Sequence, residues 1–195
     1  MRKTFNALDI SKGVIASRVS EGDICIDATA GRGNDTAFLC ELVGDSGKVT
    51  AFDIQSDAIE STKKLLCEKG FSDRARLVLG SHTEMDSYAY EGTVSCITFN
   101  FGWLPGGDHT VHTNKDTSLE AVKKALRLIR KGGLISMILY YGRDTGFEEK
   151  DALLEFVKTI DSDEYTVITA EFSNRPNCPL FPNQLRENPA PAVTL

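Results

Sequence analysis

The chain has 195 residues, a net charge of −6, a hydrophobic fraction of 41% and a charged fraction of 26%, values typical of a globular protein with one sizeable core. The acidic balance argues against non-specific coating of nucleic acid, which needs clustered lysine and arginine, but it leaves room for a local basic patch. No apolar run reaches the roughly 18 residues of a membrane span, and charged residues interrupt the N-terminal segment, so we predict a cytoplasmic protein with one domain over residues 1–195.

Short β-rich runs alternate with helical patterns along the chain, and no linker or internal repeat divides it. This alternation predicts an α/β fold, in which helices cover both faces of a parallel sheet. An amphipathic helix comes first. Ser56 is the predicted N-cap of the third helix and Gly70 its end, while Gly132 and Gly133 are expected to end the fourth. The predicted strands are 24–28, 48–53, 76–80, 94–100, 134–141 and 165–172, and the helices after the first open at Asp35 and cover 56–70, 118–130 and 148–160.

The five cysteines are odd in number, widely scattered and without C-x-x-C spacing. That pattern predicts no zinc or other metal site and no disulfide framework. Four of them lie in apolar runs and are predicted to be small buried side chains, namely Cys25, Cys40, Cys67 and Cys96, while Cys178 lies in the proline-rich tail.

The first candidate site is the stretch DATAGRGND, between the first strand and the helix that follows it. Its pattern D-x-x-x-G-x-G comprises Asp27, Gly31 and Gly33, and Thr36 stands where a dinucleotide fingerprint carries its third glycine. The glycines permit a tight turn and close approach of a ligand, and the helix N-terminus offers N–H groups. The missing glycine disfavours the pyrophosphate of NAD, but a protein that binds NAD or another nucleotide stays an alternative.

Two further segments end strands at the same predicted edge of the sheet. Asp53 closes the second strand and can accept two hydrogen bonds from a ribose diol, with Ile54 and Gln55 beside the base. The alternative is that the glycines only form a turn and that Asp53 only caps a helix. Ser81 and His82 follow the third strand and can flank an adenine, although a lone loop histidine is often only a surface residue.

The segment FNFGWLPGGDHTVHT follows the fourth strand and is the most unusual part of the sequence. Asn100 offers a side-chain amide at the sheet edge, and Trp103 offers a flat face on which a base can stack. Gly106 and its neighbouring glycine allow close approach of a substrate, while Asp108 and His109 bring titratable groups to the loop. The alternative is a structural loop whose tryptophan fills the core.

The segment YYGRDTG closes the fifth strand at the same edge. Tyr141 and Arg143 can contact a substrate ring or phosphate there, with an ordinary polar loop as the alternative. Residue types suited to ligand binding therefore follow several strands at one edge of the predicted sheet, which argues against a purely structural module.

These segments together resemble a known family. The sequences DATAGRGNDT, AFDIQ and FNFGWLPGGDH, the YYG segment after a glycine pair and a strand, and an Asn-x-x-Asn-x-Pro tail from Asn174 to Pro179 are similar to those of small bacterial methyltransferases labelled rRNA methylases. Members of that family are tRNA 5-(aminomethyl)-2-thiouridine methyltransferases. The resemblance spans nearly the whole chain, and the loop after Asn100 is its most specific part. Arg143 departs from it, because the family has a histidine at this position.

The resemblance implies a Rossmann-like class I methyltransferase fold that uses S-adenosyl-L-methionine, with a seven-stranded, mostly parallel sheet whose last strands form an antiparallel hairpin. It also implies a substrate, the aminomethyl group of a modified wobble uridine in the anticodon region of tRNA. The motifs and the resemblance together predict a cofactor site formed by Asp27, Gly31, Arg32, Gly33, Asn34, Asp35, Thr36, Asp53, Gln55, Ser81, His82 and Asn100. The predicted substrate-binding residues are Trp103, Gly106, Tyr141 and Arg143.

The predicted reaction is in-line transfer of an activated methyl group to a primary amine, so the enzyme mainly has to align the amine and remove its proton. Our hypothesis is that Asn100 orients the amine through its carbonyl oxygens, Trp103 stacks on the uridine ring, and Asp108 or His109 accepts the proton. A methyltransferase that acts on rRNA, a small molecule or a protein stays an alternative. The sequence leaves the oligomeric state open, with a homodimer as one option.

Overall fold

The computed structural model describes residues 6–102, 113–141 and 146–172, together with the backbone of residues 181–185. The helices in this part of the chain are α1 (Ala7–Ala16), α2 (Asn34–Val43), α3 (Ser56–Lys69), α4 (Lys115–Leu128) and α5 (Phe147–Val157). Its strands are β1 (Ile24–Asp27), β2 (Lys48–Asp53), β3 (Ala75–Leu79), β4 (Val94–Phe101), β5 (Ile129–Leu139), β6 (Thr166–Ala170) and β7 (Phe181–Leu185). None of the helices described here is long and apolar enough to cross a membrane.

The strands form a sheet in the order β3-β2-β1-β4-β5-β7-β6. The five strands from β1 to β5 run parallel, and β1 pairs with both β2 and β4. β7 pairs antiparallel with β5 and with β6, so a count of seven strands includes this antiparallel pair. The chain leaves β1 for β2 and β3 on one side and returns to the other side for β4 and β5. The predicted Rossmann-like parallel sheet is confirmed, and its order reverses between β1 and β4, where such sheets bind ligands.

Both faces of the sheet are covered, because alternate residues of the central strands point into two separate hydrophobic clusters. Cys96 of β4 lies in the cluster formed with α1, α2 and α3. Its neighbours Ile97 and Phe99 lie in the cluster formed with α4 and α5. The sequence of β4 therefore lacks polar alternation, as expected for a strand buried on both sides.

The predicted boundaries of the fourth helix are wrong at both ends. α4 begins at Lys115, because the side chain of Asn114 caps it by accepting hydrogen bonds from two backbone N–H groups of the first turn. It ends at Leu128, and Gly132 and Gly133 lie inside β5. The pairing of β4 with β5 shifts register in this region. The glycine pair therefore accommodates an irregularity in the strand instead of ending a helix.

Helix α3 differs from the prediction in two details. Its N-cap is Gln55, and Ser56 is already the first helical residue. Cys67, predicted to be buried, is exposed on the solvent-facing side of this helix, whereas Cys25 and Cys40 are buried as predicted. Gly70 ends α3 in the left-handed conformation, as its sequence position indicates.

Candidate active site

Two glycines shape the turn that follows β1. Gly31 has a φ of 54° and Gly33 a φ of 81°, a region of backbone conformation that strongly favours glycine. A Cβ atom on Gly33 would lie 2.8 Å from Cα of Thr62, so α3 packs directly against the turn. Gly33 is also the N-cap of α2, which brings the N–H groups of the first helical turn to the end of β1.

Asp27 lies at the end of β1 and supports this turn from the protein interior. It is fully buried, with Thr36 Oγ1 donating to its Oδ2 at 2.6 Å and the N–H of Thr29 donating to its Oδ1 at 3.2 Å. Burial raises the pKa of Asp27 to about 7, and the nearby carboxylate of Asp35 adds to the rise. The predicted cofactor residues Asp27 and Thr36 therefore form a buried support for the turn.

Asp53 joins the tip of β2 to the same turn. Its Oδ2 accepts a hydrogen bond from the N–H of Gly31 at 2.9 Å, and its Oδ1 accepts one from the N–H of Gln55 at 2.9 Å. Each oxygen keeps a further acceptor position, because an ionised carboxylate oxygen can accept more than one hydrogen bond. Ile54 and Leu79, at the ends of β2 and β3, are 58% and 60% exposed and offer apolar surface at this edge of the sheet.

Ser81 and His82 occupy different environments at the end of β3. Ser81 Oγ accepts from the N–H of Thr83 at 3.2 Å and caps a short 3-10 helix. His82 is buried, with its ring edge-on to Phe99 and Phe101 at centroid distances of 6.2 and 6.1 Å. Burial lowers the pKa of His82, and its Nε2 has no hydrogen-bond partner in the described part of the chain. The alternative of a surface histidine is wrong.

Asn100, near the end of β4, connects the turn to α2. Its backbone N–H donates to Thr29 Oγ1 at 2.7 Å, and its side-chain Nδ2 donates to Asp35 Oδ2 at 2.8 Å. Because an ionised carboxylate only accepts hydrogen bonds, this contact fixes which way the amide faces. The amide oxygen of Asn100 therefore points away from Asp35.

A cavity of about 360 Å³ opens beside these residues. An ion pair between α1 and α2 stands in its wall, with 3.5 Å between Lys12 Nζ and Asp35 Oδ1. Lys12 Nζ also lies 5.1 Å from the centroid of the Phe38 ring. The structure brings five predicted cofactor residues into this one wall: Gly31, Arg32, Asn34, Asp35 and Asn100.

Sequence reasoning missed five residues of the cavity wall: Leu8, Lys12, Thr29, Ala30 and Tyr140. Thr29 lies inside the recognised motif, but its contact with the cavity depends on the hydrogen bond that it accepts from the Asn100 N–H, which the sequence does not reveal. Tyr140 lies in the cavity wall, next in sequence to the predicted Tyr141. The ring of Tyr141 packs edge-on against that of Phe147, with 5.6 Å between the ring centroids. Nothing in the local sequence marks Lys12, because its position depends on how α1 packs against the sheet.

A buried carboxylate supports the contact between Gly102 and Thr113, the two residues that flank residues 103–112. The N–H of Gly102 donates to Thr113 Oγ1 at 2.8 Å, and the N–H of Thr113 donates to the carbonyl of Gly102 at 3.0 Å. Thr113 Oγ1 in turn donates to Glu149 Oε2 at 2.9 Å, while Ser118 Oγ donates to Glu149 Oε1 at 2.5 Å. Glu149, in the first turn of α5, is only 5% exposed. It therefore fixes the chain on both sides of residues 103–112.

Several predicted site residues lie outside the described part of the chain. They are Trp103, Gly106, Asp108, His109 and Arg143.

Comparison with known proteins identifies the family. Residues 49–185 match the family described as "Putative rRNA methylase". The chain belongs to this rRNA methylase family. A tRNA (mnm(5)s(2)U34)-methyltransferase of Arabidopsis thaliana, a chloroplastic protein, is 36% identical over 184 residues, which cover 90% of this chain and 67% of the relative. The family membership and the methyltransferase class predicted from the sequence are confirmed.

Solved structures of rRNA methylase type share the fold along nearly the whole chain. An rRNA-methylase of Clostridium thermocellum has a TM-score of 0.90 and 43% identity, with 93% of this chain and 98% of that chain covered. A methyltransferase of Streptococcus mutans, solved in complex with S-adenosylhomocysteine, has a TM-score of 0.84 and 31% identity, with 97% and 99% covered. The class I methyltransferase fold of this chain is thereby established.

Proposed function

We propose that the protein transfers a methyl group from S-adenosyl-L-methionine to the aminomethyl group of a modified wobble uridine in tRNA. The observation that carries the proposal is the 2.8 Å bond from Asn100 Nδ2 to Asp35 Oδ2, which turns the amide oxygen of Asn100 away from the carboxylate. An amide oxygen at the end of β4 can accept a hydrogen bond from an amine and hold it in place. The activity named for the Arabidopsis relative supports the same substrate.

The residues around the turn fit the proposed cofactor, which supplies a methyl group already activated on a positively charged sulfur. The turn at Gly31 and Gly33 brings backbone close to the cavity without side chains. The carboxylate of Asp53 stands at the tip of β2 with acceptor capacity for ribose hydroxyls, and Ile54 offers apolar surface for the base. We propose that these residues hold the adenosine part, with Gln55, Ser81 and His82 at its edge.

Removal of a proton is the remaining requirement, because a primary amine is protonated near neutral pH and must become neutral to attack. We propose Asp108 or His109 as the acceptor, with Trp103 stacking on the uridine and Gly106, Tyr141 and Arg143 contacting the substrate. Turnover of D108N and H109A tests this assignment. Full activity in both variants, with cofactor binding retained, would remove it.

The proposal is tested by incubating the purified protein with S-adenosylmethionine and tRNA that carries the aminomethyl nucleoside. We expect the wild type to methylate it and Asn100→Ala to lose roughly ten- to a hundredfold in kcat/KM, because the amine loses its acceptor. Thr93→Ala is the control, since Thr93 is exposed in the turn before β4, outside the cavity wall, and its hydroxyl donates to the carbonyl of Tyr90. Equal loss in both variants, or no loss in N100A, would contradict the role of Asn100.

The remaining parts of the proposal concern location and assembly. Contact with the anticodon region of tRNA, a cytoplasmic location and a homodimer stay predictions. Footprinting of tRNA in the complex and sedimentation of the free protein test the first and the last.

A further inference from the structure

The cavity wall holds two opposite charges next to each other. Lys12 Nζ and Asp35 Oδ1 are 3.5 Å apart, with 35% and 15% of the two side chains exposed. Lys12 reaches this position from α1, and the ring of Phe38 lies beneath its ammonium group. The two charges come from helices that are separated in sequence by β1, so the pair exists only in the folded protein.

This arrangement matches the α-amino acid group, which carries a carboxylate and an ammonium on neighbouring carbons. A site for such a group needs one cation and one anion within a few ångströms, in a place where water screens them only in part. The Lys12–Asp35 pair supplies both, and Asn34 brings the N-terminal end of α2 into the same wall, where its dipole also attracts an anion.

We propose that Lys12 and Asp35 bind the amino acid end of S-adenosylmethionine, with Lys12 Nζ pairing with the carboxylate and Asp35 Oδ1 pairing with the ammonium. The inference rests on the proposed use of this cavity for the cofactor. It also assigns the carboxylate to Lys12 in preference to Arg32, because Lys12 is half-buried beside Asp35 whereas Arg32 is exposed.

The assignment gives Asp35 two tasks. Its Oδ1 faces Lys12, while its Oδ2 accepts from Asn100 Nδ2. One carboxylate therefore links the amino acid end of the cofactor to the amide that we propose to orient the substrate amine. Lys12 contacts Asp35 but not Asn100. Replacing Lys12 should therefore change cofactor binding and leave the hydrogen bond that orients Asn100 in place.

The test compares two ligands by titration calorimetry, S-adenosylhomocysteine and 5′-methylthioadenosine, which lacks the amino acid end. We expect Lys12→Met to weaken S-adenosylhomocysteine roughly ten- to a hundredfold and to leave 5′-methylthioadenosine within about twofold of wild type. Lys12→Arg should restore most of the affinity. Lys64→Met, which removes a charge from an exposed pair on α3, should leave the affinity for both ligands unchanged. Arg32→Met changes the other cation of the cavity wall and tests the competing assignment of the carboxylate.

Several results would overturn the inference. Equal weakening of both ligands by K12M would mean that Lys12 only attaches α1 to the domain, and unchanged binding of both would mean that it does not contact the ligand. A selective loss in R32M instead of K12M would transfer the role to Arg32. If wild-type protein binds neither ligand, the proposed cofactor itself is wrong, which is a separate result.

A measurement on the ligand side avoids dependence on the folding of the variant. S-adenosylhomocysteine without its carboxylate, titrated into wild-type protein, should bind roughly ten- to a hundredfold more weakly than the parent compound. Equal affinity of the two compounds for the wild type would show that no cation contacts the carboxylate and would overturn the inference as well.

Discussion

Replacing Asp27 by asparagine should flatten the dependence of protein stability on pH. Asp27 is fully buried, and burial raises its pKa from 3.8 to about 7. Between these values the folded protein holds a proton that the unfolded chain releases, so the free energy of unfolding falls as pH rises from about 4 to about 7. The side chain of asparagine does not titrate in this range, so D27N removes this dependence on pH. It also keeps the contact with Thr36, because the Thr36 hydroxyl can accept a hydrogen bond from the asparagine amide as it can from a protonated carboxyl group.

The size of the effect follows from the shift in pKa. The rise of the Asp27 pKa from 3.8 to about 7 corresponds to about 4 kcal/mol, which is an upper limit because a buried charge draws in water and relaxes its surroundings. We therefore expect the stability of the wild type, relative to D27N, to fall by roughly 2–4 kcal/mol across this pH range. The pKa of His82 is lowered from 6.5 by burial, so His82 opposes this trend below about pH 6.5, but it does so equally in both proteins.

Urea unfolding followed by circular dichroism, at intervals between about pH 4 and about pH 8, measures this difference directly. Asp45→Asn is the control, because the side chain of Asp45 is 90% exposed and the variant removes the same charge at the surface. A difference between wild type and D27N that stays constant over the whole range would refute the account of Asp27, as would the same change of slope in D45N.

Three further predictions follow from the packing around the site. Gly33→Ala should lower the free energy of unfolding by at least about 1–3 kcal/mol, because φ is 81° and the new Cβ would meet Thr62; a melting temperature equal to wild type would contradict this. Glu149→Gln should lower kcat/KM for tRNA by roughly tenfold and leave S-adenosylhomocysteine affinity unchanged, since one buried bond at the base of residues 103–112 loses its acceptor. The exposed neighbour Glu148 provides the control variant, and equal activity of E149Q and E148Q would remove the role of Glu149. Iodoacetamide should label the exposed Cys67 in the folded protein, but not Cys25, Cys40 or Cys96, whose pKa values are raised by burial. Peptide mapping that finds early modification of any of these three would contradict their burial.

Local sequence rules predicted the first half of the fold well. The strand over Lys48–Asp53 and the helix that ends at Gly70 were placed to within a residue, because β-branched runs and a left-handed glycine are local signals. The glycine pair at Gly132 and Gly133 was misassigned for the opposite reason. A glycine pair after a helical pattern has the same appearance whether it ends the helix or forms an irregularity in a strand, and the pairing with β4 decides between them.

The parts of the site that lie within one short motif were predictable from the sequence, whereas contacts between distant segments were not. Asp27 and the two glycines of the turn form a contiguous motif, so sequence spacing was enough to find them. The ion pair of Lys12 with Asp35 depends on the packing of α1 against the domain, which no local pattern encodes. The same holds for Glu149. Its sequence position at the start of a helix predicts an exposed charge, but its carboxylate is buried and accepts hydrogen bonds from the hydroxyls of Thr113 and Ser118.

Mass spectrometry of tRNA nucleosides from cells with and without this protein tests the proposed function most directly. If the protein methylates the wobble uridine, tRNA from cells that lack it accumulates the unmethylated aminomethyl nucleoside, and re-expression of the wild type but not of N100A restores the methylated form. An unchanged nucleoside profile in cells without the protein would contradict the proposal.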